Sequence, residues 1–237
     1  MSAMHIKTEL AYERVIAEIC GLNWMNLTDE DMIHVAWAYY FFSVQFRENL
    51  QVARILYPED GKLQELEREE CDTDNLSPWP GVARVGEKMD HDEFMRRVLL
   101  LSPVPEAQRR RFEASGHRYL DAVRRTDATT RALSITSYED GGLERVFTAM
   151  LTSPESHDPL LRGFRHFLAE HIRFDSDPDG GHGAMILHLR PDDRILPLWI
   201  GFRDILLEFA PGLANDHDGS GMFRHDRDAL MKQVQPA

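Results

Sequence analysis

Apolar residues recur at helical spacing along most of the chain. Leu10, Val15, Ile16 and Ile19 fall on one face of an amphipathic helix predicted over residues 5–22, and Gly21 can end that helix. Alternation of apolar and polar residues, which is typical of a half-buried strand, never lasts more than a few residues, and no convincing hairpin signal occurs. The pattern therefore predicts an all-α fold.

A second helix is predicted to begin at Thr28. Threonine is a favourable N-cap, and the three acids that follow it, Asp29, Glu30 and Asp31, suit the positive end of a helix dipole. The segment then runs through a stretch rich in aromatic residues, 37–46. Since polar positions are few on every face of this stretch, we expect a helix that is buried on nearly all sides.

Five later segments show the same helical spacing. They are residues 82–101, the arginine-rich residues 106–126, residues 129–151, the apolar segment that leads to His171, and residues 194–207. Gly141 and Gly142 should loosen the middle of the third of these segments, because glycine is a poor helix former.

Length and composition predict one domain in a reducing compartment. With 237 residues we expect a single domain over residues 1–237, ending in a polar, glycine-rich tail from about residue 214. The longest apolar run, residues 35–42, is far too short to cross a bilayer. The first residues lack a secretory signal, and Cys20 and Cys71 make no disulfide framework, so we expect a cytoplasmic protein.

Charge and motifs exclude several function classes. The formal net charge of −13 argues against nucleic acid and anionic membranes as partners, since both attract basic surfaces. The chain has no GxGxxG, GxxxxGK[ST] or GxSxG motif. The usual signatures of nicotinamide binding, phosphoryl transfer and an esterase-type nucleophile are therefore missing.

The strongest chemical signal lies between His171 and Gly183. His171 and Asp175 are four residues apart, so they share one side of a helix, and Pro178, Gly180 and Gly181 then interrupt it before His182. We interpret this stretch as half of a metal site. Histidine and carboxylate ligands without cysteine suit iron or manganese better than a structural zinc ion. The other interpretation is a solvated loop of Asp and Gly that follows a core histidine.

Two further residues could complete such a site. His91 supplies a third imidazole in the segment predicted to be helical over residues 82–101. Glu139 follows Tyr138 on an otherwise apolar face, where an unpaired carboxylate would be costly and a metal ion would remove the cost. A hydrogen bond from a core Tyr or Arg is the alternative explanation for Glu139.

The order of these residues resembles that of the haem-oxygenase-like di-iron oxidases. In that family an aromatic-rich helix with a glutamine, here Gln45, precedes an acidic pair that supplies the first ligand, here residues 69–70. A histidine, a Tyr-Glu pair and an HxxxDxxHG motif follow, matched by His91, by residues 138–139 and by the stretch from His171 to Gly183. The resemblance covers about residues 35–205.

The resemblance implies a haem-oxygenase-like helical bundle that binds two Fe²⁺ ions. O2 would be the co-substrate, an external donor would supply electrons, and the activity would be N-oxygenation of a small-molecule amine in natural-product biosynthesis. Oxidative C–C cleavage or decarboxylation of an amino or fatty acid is the alternative, and the chain could pair as a homodimer. The six metal ligands that the resemblance implies are Glu70, His91, Glu139, His171, Asp175 and His182.

Two departures from the family pattern leave ligand choices open. Glu70 lies farther before His91 than is usual, so either a loop is inserted between them or Glu87 is the ligand; we favour Glu70. Extra residues also separate Asp175 from His182, so Asp179 competes with Asp175, which we favour because it shares a helix face with His171. A metal-free, thiaminase-like helical enzyme or binding module is the alternative from a different functional class.

Overall fold

The computed structural model describes residues 10–175 and 189–214, and of Phe174 and Asp175 only the backbone. Helix and two isolated β-bridges are the only regular structure in this part of the chain, so the prediction of an all-α fold is confirmed. The α-helices are α1 (Ala11–Cys20), α2 (Asp29–Leu56), α3 (Gly61–Glu70), α4 (His91–Val98), α5 (Glu106–Arg124), α6 (Ala128–Ser137), α7 (Leu143–Met150), α8 (Pro159–Asp175) and α9 (Leu196–Phe209).

Helix α2 is the centre of the fold. It packs against α3, α4, α5, α6, α8 and α9. Phe42, Leu50 and Ala53 on its faces are fully buried, as the aromatic-rich sequence predicted. Burial of so much apolar surface is the dominant favourable contribution to folding, and α2 thereby fixes the positions of the helices that surround it.

The start of α2 is held by a capping box. Thr28 Oγ1 accepts a hydrogen bond from Asp31 N at 3.1 Å, and Asp31 Oδ2 accepts one in return from Thr28 N at 3.1 Å. Two backbone N–H groups that the helix leaves unpaired are thus satisfied.

We expect Thr28→Ala to lower the free energy of unfolding by about 1 kcal/mol, because the side-chain cap is lost. Thr28→Ser keeps the hydroxyl and should stay within about 0.5 kcal/mol of the wild type. Urea-induced unfolding measures both variants. Equal stability of the alanine and serine variants would show that the cap does not stabilise α2.

The segment before His91 differs from its prediction. Residues 82–90 are a loop rather than a helix, and α4 begins only at His91. Gly81 and Gly86 adopt φ values of 77° and 69°, which lie in the left-handed region, and such residues cannot continue an α-helix. Residues 71–90 therefore form one long excursion between α3 and α4.

A π-helical turn, Tyr138–Gly142, interrupts the helical segment that was predicted over residues 129–151. Asp140 has a ψ of 51° and Gly141 a φ of 76°, so neither is helical. The glycine pair loosens this segment, as the sequence indicated.

The other boundaries agree with the predicted segments within a few residues, although α1 is shorter than residues 5–22 where the structure describes it. None of the helices in the described ranges is long and apolar enough to span a bilayer. The tail predicted from about residue 214 lies outside the described residues.

Candidate metal centre

Three helices bring a carboxylate and two imidazoles together in the interior. Glu70 is the last residue of α3, His91 is the first residue of α4, and His171 lies in the last turn but one of α8. Their exposed fractions are only 5–7%. One ligand atom from each lies within 4.8 Å of the others. The three side chains therefore face a common point.

The loop between α3 and α4 is closed at its base, which explains how Glu70 meets His91. Thr73 and Met89 form an antiparallel bridge with two backbone hydrogen bonds, of 3.2 and 2.9 Å. Asp72 N also donates to Asp90 Oδ1 at 3.0 Å. Glu70 and His91, which flank this closed base, are thus brought side by side although twenty residues separate them in the sequence.

Asn75 in this loop fixes the proton on the ring of His91. Asn75 Nδ2 donates to the carbonyl of Glu69 at 2.9 Å, so its Oδ1 is the atom that faces His91 Nε2, also at 2.9 Å. An amide oxygen can only accept, and His91 Nε2 must therefore carry the hydrogen. In a neutral ring, the lone pair of His91 then lies on Nδ1, the nitrogen that faces Glu70 and His171.

The ring of His171 is fixed in the same way. Its Nδ1 lies 2.8 Å from the carbonyl oxygen of Phe167, one turn earlier on α8, and donates to it. Its Nε2 therefore carries the lone pair in a neutral ring. The ring is also stacked on Phe167, with centroids 4.0 Å apart. Both constraints aim Nε2 toward His91.

Three acceptor atoms thus converge on one point. His91 Nδ1 lies 2.7 Å from Glu70 Oε2 and 3.0 Å from His171 Nε2. Lone pairs at such distances repel each other unless a cation lies between them. The cation can be a proton on His91 or a metal ion. Hydrogen bonds from the outer ring nitrogen to an acceptor, here to Asn75 Oδ1 and to the Phe167 carbonyl, are typical of metal-ligating histidines.

The chemistry of the donor atoms suits a first-row transition ion. Two imidazole nitrogens and a carboxylate oxygen, without a thiolate, are ligands typical of iron and manganese sites. The separations of 3.0 and 2.7 Å are short enough for one ion to contact both atoms of each pair.

The π-helical turn carries Glu139 to the same cavity. Glu139 is 5% exposed and lines the cavity together with Glu70, His91 and His171. The turn depends on Gly142, because a Cβ atom there would lie 2.0 Å from the carbonyl oxygen of Ser137, five residues earlier.

Tyr138 anchors the turn next to Glu139. Its hydroxyl accepts a hydrogen bond from Gln45 Nε2 at 2.6 Å, and Tyr119 donates its hydroxyl hydrogen to Gln45 Oε1. Burial raises the pKa of Tyr138 above its usual value. Gln45, which the family resemblance singled out, thus holds a neutral tyrosine in place beside the candidate ligand.

The cavity between these groups is small. The centre of a water-sized sphere can occupy about 20 Å³ in it, enough for about one water molecule or a comparable group. The aromatic residues that line it are Tyr39, Phe42, Phe46 and Phe167. The polar lining comprises Ser43, Arg47, Glu70, His91, Asp92, Glu139 and His171.

The remaining sequence-predicted residues divide into two groups. Glu87 is directed elsewhere, because its carboxylate accepts from Arg97 Nη1 at 2.6 Å and from Arg84 N at 2.9 Å. Glu70, not Glu87, contacts His91. Asp175 lies in α8, but its side chain is outside the described residues, as are Asp179 and His182.

The sequence did not single out Asn75, Arg47 or Asp92 as residues of the site. Asn75 acts across a loop whose closure has no local sequence signal. Arg47 and Asp92 form an ion pair, with Nε and Oδ2 2.9 Å apart at the edge of the cavity. Asp92 follows His91 directly, and this adjacency was the only available signal.

Cys71 has no nucleophilic character. Burial, together with the neighbouring carboxylates of Asp90 and Glu70, raises the pKa of its thiol to about 12. A thiol in such surroundings stays protonated at neutral pH.

No protein-family model, curated protein or solved structure matches this chain.

Proposed function

We propose that this protein is a non-haem di-iron oxygenase that uses O2, with a haem-oxygenase-like helical bundle as its fold. The favoured reaction is N-oxygenation of a small amine. One oxygen atom of O2 forms the new N–O bond and the other leaves as water, so two electrons from an external donor and two protons are consumed. The proposed ligands are Glu70, His91, Glu139, His171, Asp175 and His182.

One observation carries the proposal. Lone pairs of His91 and His171 converge with a carboxylate oxygen of Glu70 in a buried site, and the ring protons that would interfere are held outward by Asn75 and by the Phe167 carbonyl. Buried acceptors in this arrangement require a cation. The mixed nitrogen and oxygen donor set favours a first-row ion such as iron or manganese.

Each described residue has a defined part in this proposal. Glu70 and Glu139 would balance the charge of the metal, and His91 and His171 would hold it in neutral form. The rings of Tyr39, Phe42 and Phe167 line the cavity and would exclude bulk water from it, which would strengthen electrostatic interactions there and limit side reactions. When bound, iron supplies the activation of O2, chemistry for which protein side chains alone are unsuited.

The direct test is anaerobic loading with Fe²⁺, followed by exposure to O2, a reductant and a panel of small amines. We expect bound iron, O2 uptake that depends on the amine, and a product heavier by oxygen. Loss of a carboxyl-containing fragment would instead support oxidative C–C cleavage. A protein that binds no iron yet turns over a substrate would contradict the proposal and support the metal-free class.

We expect Asn75→Ala to lower the affinity for Fe²⁺ or Mn²⁺ roughly 10- to 100-fold, because His91 would lose the hydrogen bond that fixes its ring proton. Asn75→Asp retains an acceptor for His91 Nε2 and should keep most of the affinity. Isothermal titration under anaerobic conditions measures both variants. Equal affinity in wild type and Asn75→Ala would show that Asn75 does not support a metal ligand.

A further inference from the structure

Arg47 differs from the other residues that line the cavity in its contact with solvent. In the described part of the chain, the lining residues other than Arg47 are all buried. The side chain of Arg47 is 28% exposed. A side chain that borders the cavity and also contacts solvent separates the two. The cavity therefore comes closest to the surface at Arg47, and we call this point the mouth of the cavity.

The Arg47 side chain bridges two helices at the mouth. Arg47 belongs to α2, and its Nε lies 2.9 Å from Asp92 Oδ2 and 3.8 Å from Asp90 Oδ2. Asp90 directly precedes α4, and Asp92 is in the first turn of that helix. The guanidinium group thus spans the gap between α2 and the start of α4, beside the cavity.

This bridge is held at one point. Nε of Arg47 donates a hydrogen bond to Asp92 Oδ2, and the two terminal nitrogens have no hydrogen-bond partner in the part of the chain that the structure describes. Ion pairs in contact with solvent contribute little to stability, because water competes for both charges. The Arg47 side chain can therefore leave Asp92 at small cost, since water that enters at the mouth solvates the carboxylate.

The other described groups of the lining offer no comparable route. Tyr39 and Phe167 belong to the hydrophobic core, where close-packed side chains cannot move apart without losing packing contacts. His91 and His171 are held by Asn75 and by the Phe167 carbonyl. Among these groups, Arg47 is therefore the one whose movement opens the cavity at least cost.

We propose that Arg47 is the gate of the cavity. With Nε on Asp92 its side chain closes the mouth, and rotation away from Asp92 admits ions and molecules of about the size of water. This inference rests on the proposed function for its consequence, because the metal ion and O2 of that function would pass the same mouth. A gate changes the rates of entry and exit by the same factor, so it leaves the equilibrium affinity unchanged.

The first test measures the exchange of Co²⁺ by stopped-flow absorbance, with a metal-sensitive dye for uptake and excess EDTA for release. We expect Arg47→Ala to raise both rate constants roughly ten-fold or more and by the same factor, because a gate that is open about 10% of the time or less slows passage by that amount. The equilibrium affinity should stay close to that of the wild type.

Arg54→Ala is the matched control for this test. Arg54 also lies on α2 and forms an ion pair, with its Nε 3.0 Å from Glu67 Oε2, but it does not line the cavity. The substitution removes the same charge from the same helix. Both rate constants in Arg54→Ala should therefore stay near those of the wild type.

The second test needs no metal. Deuteroxide removes the hydrogen on Cε1 of histidine rings, and mass spectrometry of peptides measures the resulting deuterium uptake at His91 and His171 in the metal-free protein. Loss of the Arg47 charge alone would favour entry of a cation and oppose entry of an anion, whereas an open gate speeds both. We expect faster uptake in Arg47→Ala than in the wild type and in Arg54→Ala.

Each result separates this inference from the proposed function. Unchanged deuterium uptake at both histidines, or an equal rise in Arg54→Ala, would overturn the inference. Faster release of Co²⁺ with unchanged uptake of Co²⁺ would also overturn it and make Arg47 a residue that positions a ligand. If the wild type binds neither Co²⁺ nor Fe²⁺ but deuterium uptake still depends on Arg47, the inference stands and the proposed function fails. Arg47→Met provides the same comparison if Arg47→Ala does not fold.

Discussion

Replacing His171 by alanine should remove tight iron binding, with an affinity loss of more than ~100-fold, and should abolish O2 uptake. Loss of an outer hydrogen-bond partner alone costs roughly 10- to 100-fold in metal affinity, and His171→Ala removes the ligand itself. Iron content after anaerobic loading and desalting measures the first effect, and an oxygen electrode measures the second.

His166→Ala is the matched control for this experiment. His166 lies on the same helix, α8, where its ring stacks on Trp79 with centroids 4.3 Å apart and its Nε2 contacts the Leu76 carbonyl. It holds the loop before α4 and does not line the cavity. His166→Ala should therefore retain most of the iron. Full iron content in His171→Ala, or equal loss in both variants, would contradict the assignment of His171 as a ligand.

Gly142→Ala should destabilise the protein by about 3 kcal/mol or more and should also lower iron affinity. A methyl group at this position would lie 2.0 Å from the Ser137 carbonyl oxygen and 3.0 Å from the ring of Trp199. Overpacking of a core usually costs 1–3 kcal/mol, and here the nearest atom is backbone, which cannot rotate away. The π-helical turn would have to rearrange, and Glu139 would move with it.

Gly61→Ala is the control for Gly142→Ala. Gly61 is the first residue of α3, and a Cβ atom there meets nothing within 4 Å. This substitution should leave stability unchanged or raise it slightly, because alanine favours helix more than glycine does. Urea-induced unfolding compares the two variants. A Gly142→Ala protein as stable as Gly61→Ala would show that the turn accepts a side chain and that its geometry does not depend on glycine.

The parts of this fold that were predictable from sequence depend on local chemistry. Thr28 with the acids after it predicted the start of α2, and the aromatic-rich residues 37–46 predicted that this helix is buried. The apolar spacing before His171 predicted α8, and Gly141 with Gly142 indicated where the helix after residue 129 would loosen. In each case the residues that predict a structural feature lie within about two helical turns of that feature.

The contacts that sequence could not supply are those between distant segments. The loop before α4 looked helical because its apolar residues recur at helical spacing, but Gly81 and Gly86 adopt left-handed backbone conformations there. The bridge between Thr73 and Met89 closes the loop and brings Glu70 to His91. Neither Thr73 nor Met89 is a residue type that would suggest a metal site. Asn75 acts through the same closure, so its role became visible only in the structure.

The most direct test of the central claim is X-ray diffraction at the iron absorption edge from crystals of protein loaded with Fe²⁺ without oxygen. The account predicts an anomalous peak about 2.0–2.3 Å from Glu70 Oε2, His91 Nδ1 and His171 Nε2, the distances of first-row ions to nitrogen and oxygen ligands. Ordered Glu70, His91 and His171 side chains with no peak between them, or a peak only elsewhere in the molecule, would contradict it.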